Sequence, residues 1–392
     1  VRLNVNDFVL LKEKLGMRYC KQCVQPDTRP GILFDDEQVC SACRAKEELS
    51  KVDWNQRENE LREIASWAKE KANGGFDCVV GVSGGKDSTF QALYAKERLG
   101  LKVLLANCAP NGISDVGRHN LENLVQHGFD MVSIRPNPRI DRELCRRSFF
   151  KYGNFVKPSE YPLWASAFII ALKFGVPLVI QGENPALTLG VVGFLKTGDD
   201  ATDVRNCMTL GGGNADDWVG GGIELKDLVF YQFPDDDELR NKVRAIYLGY
   251  YAKEWSVSNN TKFSMSKGLK GRPGHDPNLT GKTNPYYSID VDMKVVNQML
   301  KYYKFGFGAT TDEVCSDIRD GILTRDEGIE LVKKYDGKCG DGYIQEFCDY
   351  IGITMEEFWR ETDRWVNKEL FEKDPNTGKW NPLFTVGEDY LP

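Results

Sequence analysis

The passage from Asp77 to Gly100 constrains this chain most: an apolar run, Cys78-Val79-Val80-Gly81-Val82, meets Ser83-Gly84-Gly85-Lys86-Asp87-Ser88 and then a helical stretch. A strand that runs into glycines and directly on into a helix builds an anion site. Glycines let the backbone approach closely and adopt positive φ, and the first helical turn offers unpaired amides at the positive end of its dipole. The alternation continues downstream. KVLLANC, FDMVSIRP and VPLVIQGEN read as further buried strands, with STFQALYAKERLG, HNLENLVQHG and LWASAFIIALKFG as helices among them. This pattern predicts an α/β fold with a doubly wound parallel sheet, whose ligands bind outside the carboxyl ends of the strands. Gly182-Glu183-Asn184, after the fourth strand, falls on the same rim as the loop. Glu183 is either a solvated loop residue or a carboxylate facing the crevice as magnesium ligand or proton acceptor.

The loop is not a Walker A motif, because no glycine stands five residues before Gly85 and Lys86 is followed by Asp87. SGGxDS instead resembles the pyrophosphate-gripping loop of PP-loop ATP pyrophosphatases, synthetases and thiolases alike. By that resemblance the loop holds the leaving pyrophosphate of ATP and attack falls on the α-phosphorus. Ser83, Gly84, Gly85 and Ser88 then supply amide and hydroxyl donors, Lys86 a further phosphate contact, and Asp87 a ligand for Mg2+. The bland alternative is an ordinary strand-to-helix turn.

Cys20-Lys-Gln-Cys23 and Cys40-Ser-Ala-Cys43 are two CxxC knuckles separated by sixteen residues. Four thiolates at this spacing predict a closed tetrahedral Zn2+ site with a structural role. The remaining cysteines, Cys78, Cys108, Cys145, Cys207, Cys315, Cys339 and Cys348, lack close ligand spacing and read as core thiols, with an iron-sulfur cluster as the rival reading.

The chain of 392 residues divides into an N-terminal extension (1–17), a zinc ribbon (18–50), the α/β nucleotide domain (51–260) and a mainly helical C-terminal subdomain (261–392). In the last, Thr324 with Glu327 and Thr354 with Glu357 carry capping-box signatures. Residues 190–225, rich in glycine and aspartate, read as a surface loop or as a mobile lid over a polar substrate. No apolar run reaches eighteen residues, so the expected setting is the cytoplasm with no membrane partner. A net charge of -7 disfavours a nucleic-acid partner. His119, His127 and His275 form no recognisable pairing with a cysteine nucleophile, so ammonia, if used, must come from another protein.

CKQC, CSAC, VGVSGGKDS, QGENP, YLGYY at Tyr247–Tyr251, KYYKFGFG and TDEVCSDIRDG occur here in that order. The series, which spans nearly the whole chain from Met17, resembles the N-acetyl sugar amidotransferases of bacterial lipopolysaccharide O-antigen and pseudaminic acid biosynthesis, within the PP-loop ATP pyrophosphatase superfamily. The resemblance implies conversion of an acetamido to an acetamidino group on a nucleotide-activated amino sugar. It further implies adenine binding by the main chain of Ala106 and Asn107, ammonia from a glutaminase subunit joined to a cyclase-like barrel, and a sugar pocket built from Asn206–Asp217 and closed by residues 301–308. Two rivals stand beside it. A tRNA thiolase shares the loop and often the ribbon, and a non-catalytic scaffold would bind ATP without turnover.

Overall fold

A computed structural model describes residues 16–193, 195–207 and 209–391. The extension expected over 1–17, with its helix-like stretch, lies almost wholly outside the described residues. Five strands, β1 (Cys78–Val82), β2 (Val103–Cys108), β3 (Asp130–Ile134), β4 (Leu178–Gln181) and β5 (Arg244–Tyr247), form one parallel sheet in the order β3-β2-β1-β4-β5. The central strand β1 is followed by β2 on one side, and the chain later resumes on the other side at β4. The winding reverses at β1 and β4, which opens a crevice beyond their carboxyl ends.

Successive residues of β1 face opposite sides, and each side has its own core. Val80 and Val82 pack with Leu61, Ile64, Ala65 and Ala68 of α1 (Trp54–Ala72), Phe90 and Leu93 of α2 (Lys86–Leu93), and Leu124 of α3 (Asp115–Gln126). Val79 packs instead with Leu104 and with Ala167, Phe168 and Ala171 of α4 (Lys157–Phe174). Both faces are covered, which explains why the strands read as unbroken apolar runs instead of alternating ones. β5 escapes a sequence reading because it is only Arg244-Ala245-Ile246-Tyr247, four residues between a charged helix and a tyrosine-rich turn.

Two expectations need correction. Residues 190–225 are neither a plain surface loop nor a free lid, since Leu210, Trp218 and Ile223 bury themselves against Leu144 and Tyr161. Short 3-10 turns and well-spaced apolar residues pin a segment whose composition reads as loop. The division between 260 and 261 also falls inside a helix, α5 (Val257–Ser266), which packs on α2 of the sheet domain.

Four helices follow: α6 (Lys294–Phe305), α7 (Ala309–Arg319), α8 (Arg325–Tyr335) and α9 (Asp341–Ile351), then α10 (Met355–Trp365) and a two-stranded hairpin, β6 (Phe371–Lys373) with β7 (Trp380–Pro382). Both capping boxes form. The Thr324 and Thr354 hydroxyls accept from the Glu327 and Glu357 amides at 3.3 and 3.1 Å, while each glutamate accepts from its threonine's amide. Among the described residues no helix is long and apolar enough to cross a membrane. Thr354→Ala removes one partner of the box that starts α10, whose Phe358 stacks on Phe149 at 5.5 Å. It should lower unfolding free energy by about 1 kcal/mol, measured by chemical denaturation, with Thr354→Ser restoring most of it.

Candidate active site and metal centre

The loop after β1 takes the shape its glycines allow. Gly84 has φ +81, and a Cβ there would lie 2.8 Å from the Gly117 carbonyl oxygen of α3, so the position demands glycine for both conformation and space. Gly85 caps α2 in extended conformation with no side chain competing for the first-turn amides. The Ser83 amide donates to Ser88 Oγ at 3.4 Å, and that hydroxyl donates to the Gly85 carbonyl at 3.2 Å, so the loop is closed on itself.

Lys86 and Asp87 are held differently from the simplest expectation. The Lys86 side chain is only 6 % exposed, and its ammonium donates to Asp87 Oδ2 at 2.7 Å instead of standing free toward an anion. Burial works against its charge, but the Asp87 carboxylate, with Glu183 and Glu313 farther off, outweighs burial and holds its pKa above the ordinary value. Asp87 Oδ1 accepts from Asn260 Nδ2 at 2.9 Å, and Ser264 Oγ donates to the Lys86 carbonyl at 2.7 Å. Asn260 and Ser264 are one helical turn apart on α5, so this helix braces the loop from outside. Neither residue stands in a recognisable motif, which is why sequence reasoning misses them.

Glu183 stands on the β4 rim and lines the cavity described below. Its pKa is raised, first by burial and then by the Asp87 charge, with Lys86 opposing. A buried carboxyl whose charge is disfavoured by a second carboxylate nearby is the kind of group that a divalent cation would relieve. Gly182 lies beneath Trp255, where a Cβ would meet the indole at 3.1 Å, and its carbonyl accepts from the Gly249 amide at 2.9 Å in the YLGYY turn.

Ala106 and Asn107 lie inside the β2 ladder, opposite Gly81 and Val82 on one side and Val132 and Ser133 on the other. The Asn107 side chain is buried and bridges three strands, donating to the Val82 carbonyl at 2.8 Å and accepting from Ser133 Oγ at 2.9 Å. The positions at this strand's end that line the cavity are Cys108 and Ala109, one and two residues farther on.

The cavity measures about 1300 Å³ and extends from this rim under the C-terminal helices. That exceeds the ~300–1,000 Å³ usual for one small-molecule site, which leaves room for two substrates. Tyr287 lines it and places its ring 5.2 Å from the Lys86 ammonium, so it marks the end nearest the phosphate loop. Ser288, next to it, has φ +47, a left-handed conformation that costs a serine energy and is kept by its surroundings. Behind this turn, Glu313 Oε2 accepts from the Thr283 amide and hydroxyl at 2.7 Å each and from the Asn284 amide at 3.0 Å. The fully buried Lys282 donates to the Tyr287 carbonyl at 3.3 Å. Of the segment 301–308, Lys301, Lys304, Phe305 and Phe307 line the cavity, whereas Tyr302 and Tyr303 turn away and pack with Phe371. Of Asn206–Asp217, Thr209–Gly213 and Asp217 reach it.

The four knuckle cysteines converge, with all four sulfurs within 4.8 Å of one another and buried. Cys20 Sγ to Cys43 Sγ is 3.9 Å and Cys23 Sγ to Cys40 Sγ is 3.8 Å. A tetrahedral zinc with Zn–S bonds of ~2.3 Å separates its sulfurs by roughly 3.8 Å, so the quartet fits Zn2+ without rearrangement. The Cys40 and Gln25 amides point at Cys20 and Cys23 Sγ, at 3.2 and 3.4 Å, as donors that favour thiolate. No other such group of ligands occurs among the described residues.

Residues 280–385 match a family described as LPS biosynthesis protein WbpG-like, C-terminal domain. That span supplies Tyr287, Ser288 and one face of α6 to the cavity. Among solved structures, NMN synthetase from Francisella tularensis aligns with 14% identity over 57% of this chain and 100% of its own, with a TM-score of 0.27. A search of curated proteins finds no match.

The zinc quartet packs on Val314, Cys315 and Val332, so its loss should be felt in the C-terminal helices. Cys40→Ser is expected to reduce bound zinc from about one per chain toward none, with an earlier thermal transition. Unchanged metal content by mass spectrometry and an unchanged melting temperature would remove the zinc assignment.

Proposed function

We propose that this chain, whose residues 280–385 carry a WbpG-like domain of lipopolysaccharide biosynthesis proteins, is an ATP-dependent amidotransferase of the PP-loop type acting on a nucleotide-activated N-acetyl sugar. The reading rests chiefly on one arrangement. A glycine-built loop at the reversal point of a parallel sheet carries Lys86 5.2 Å from the Tyr287 ring, and Tyr287 and Glu183 line a cavity of about 1300 Å³.

An acetamido oxygen does not leave as hydroxide, so it must first become part of a better leaving group. In the proposed reaction that oxygen attacks the α-phosphorus of ATP and pyrophosphate departs, with the loop amides and the α2 dipole stabilising the charge it carries away. Ammonia then adds to the imidate carbon, the C–O bond breaks with release of AMP, and loss of a proton leaves the acetamidino product. Mg2+ held by Asp87 and Glu183 would supply electrostatic stabilisation to the phosphates. In the alternative role, with Asp87 alone holding the Mg2+, Glu183, whose pKa burial and Asp87 raise, would take the proton that ammonia loses. Lys86 keeps Asp87 oriented, and Asn260 holds the other carboxylate oxygen. Ammonia would come from a partner glutaminase joined to a cyclase-like barrel. The site belongs in surface-polysaccharide biosynthesis in the cytoplasm.

The test supplies ATP, UDP-N-acetyl sugars and ammonium at raised pH and follows AMP, pyrophosphate and the amidine. Sugar-dependent AMP is expected; ADP in its place would exclude attack at the α-phosphorus, and AMP formation driven by tRNA would turn the assignment to a thiolase. Asp87→Asn keeps the shape but weakens the charge, and should slow AMP formation by on the order of 100-fold, the size of one electrostatic contact in a transition state, while circular dichroism stays native.

A further inference from the structure

The end of the cavity away from Tyr287 is lined by a cluster of cations that the proposed chemistry has not used. α6 runs along the wall, with Lys294 and Lys304 ten residues and therefore roughly 15 Å apart. Lys294 is neutralised by Asp290 at 2.9 Å and Lys301 by Asp312 at 2.6 Å. Lys304 has no such partner: its ammonium donates to the Tyr152 carbonyl at 2.6 Å and lies 5.3 Å from the Trp365 ring. Two more lysines meet the same tyrosine, Lys151 at 5.1 Å and Lys157 at 5.8 Å from its ring centre. Lys157 spends its ammonium on the Thr209 and Leu210 carbonyls.

Among the described residues none of the three has a carboxylate at ion-pair distance. The nearest acids act on Lys157 alone. They are Glu160, whose carboxyl burial pushes toward protonation while Thr209 hydrogen-bonds it, and Asp217. Burial alone pushes Lys304 down to about 8, and Lys157 is lowered as well. Two partly buried ammonium groups, Lys157 and Lys304, with the exposed Lys151 beside the same tyrosine and no carboxylate paired to any of them, are stabilised by an anion that enters among them. Trp365 is fixed for a role beside them. Its indole lies on the Gly153 backbone, where a Cβ would meet it at 2.5 Å, and its Nε1 donates to Glu361 at 3.0 Å.

We propose that Lys151, Lys157 and Lys304 bind the phosphoester anion attached to the sugar substrate, with Trp365 as the platform for a nucleotide base, so that the sugar lies along α6 with its acetamido group toward Glu183. This rests on the reading of the chain as a nucleotide-sugar enzyme. The site distinguishes the two triphosphate-free anions such a substrate can carry, a diphosphate with a base and a bare sugar phosphate, by whether Trp365 has anything to stack on.

Calorimetric titration of the zinc-loaded protein with UDP-N-acetylglucosamine, N-acetylglucosamine 1-phosphate and ATP tests it. Lys304→Ala and Lys157→Ala should each weaken the UDP-sugar by on the order of 10-fold or more, the loss of one charge-assisted contact, and leave ATP affinity unchanged. Lys304→Arg should recover most of the loss, which a merely misfolded variant would not. Trp365→Phe should weaken the UDP-sugar and spare the sugar phosphate. Wild-type binding with no loss in variants of native melting temperature overturns this site and leaves the amidotransferase reading standing. Equal loss of ATP affinity overturns it too, by giving the lysines to ATP. Sugar-dependent AMP formation failing with every UDP-sugar, with no binding of either sugar probe, removes the substrate reading and this site together.

Discussion

The structure depends on the approach of the segment 257–290 onto the phosphate loop. A loop of glycines and serines after a strand has no side-chain mass to hold it, and Asp87 at its centre would swing freely. Here the carboxylate is gripped at both oxygens, by Lys86 within the loop and by Asn260 from α5, while Ser264 fastens the Lys86 carbonyl. A buried ammonium next to a carboxylate is stable only while the pair stays together, since removing either partner leaves a desolvated charge. The loop is therefore preorganised by electrostatics and by a helix that lies between the sheet and the C-terminal helices.

This bracing continues into one wall of the cavity. The turn carrying Tyr287 and Ser288 follows α5 closely in sequence, and Glu313 of α7 collects three hydrogen bonds from its start. With Tyr287 pressed toward Lys86 on one side and facing the cavity on the other, the WbpG-like region forms the wall opposite Glu183. Burial and the neighbouring Asp87 charge raise the proton affinity of Glu183, which a solvated carboxylate on the same rim would not have.

Much of this was legible in the chain, and the reasons for the rest are physical. Strands β1, β2 and β4 announce themselves because two-sided burial dictates their apolar runs, and α1 because Leu61, Ile64, Ala65 and Ala68, spaced along one helical face, are buried. Gly84 and the cysteine quartet are legible because covalent geometry restricts which residues can stand there. Asn260, Ser264, Tyr287 and Lys304 are not, because their significance comes from what the fold brings against them across long sequence separations. Residues 190–225 were hidden by composition, since glycines and aspartates outnumber the few apolar anchors that bury the segment.

The zinc module, although distant from the chemistry in sequence, belongs to this same wall. Its knuckles pack on Val314 and Cys315 of α7, and the loop between them sends Arg29 to Asp312 of that helix. Asp312 also takes Lys301 of α6, and the Arg29 guanidinium lies 4.7 Å from the Phe307 ring, in the cavity lining. Thr28 donates to the Phe305 carbonyl at 2.5 Å, and Ser41 to the Gly190 carbonyl at 2.6 Å. The ribbon thus ties α6, α7 and the segment after β4 to one rigid point. A polar ribbon of some thirty residues has too little apolar surface to hold such a position by burial, and a metal bonded to four sulfurs supplies the missing stiffness. A structural zinc would therefore set the register of the pocket's cations without touching a substrate.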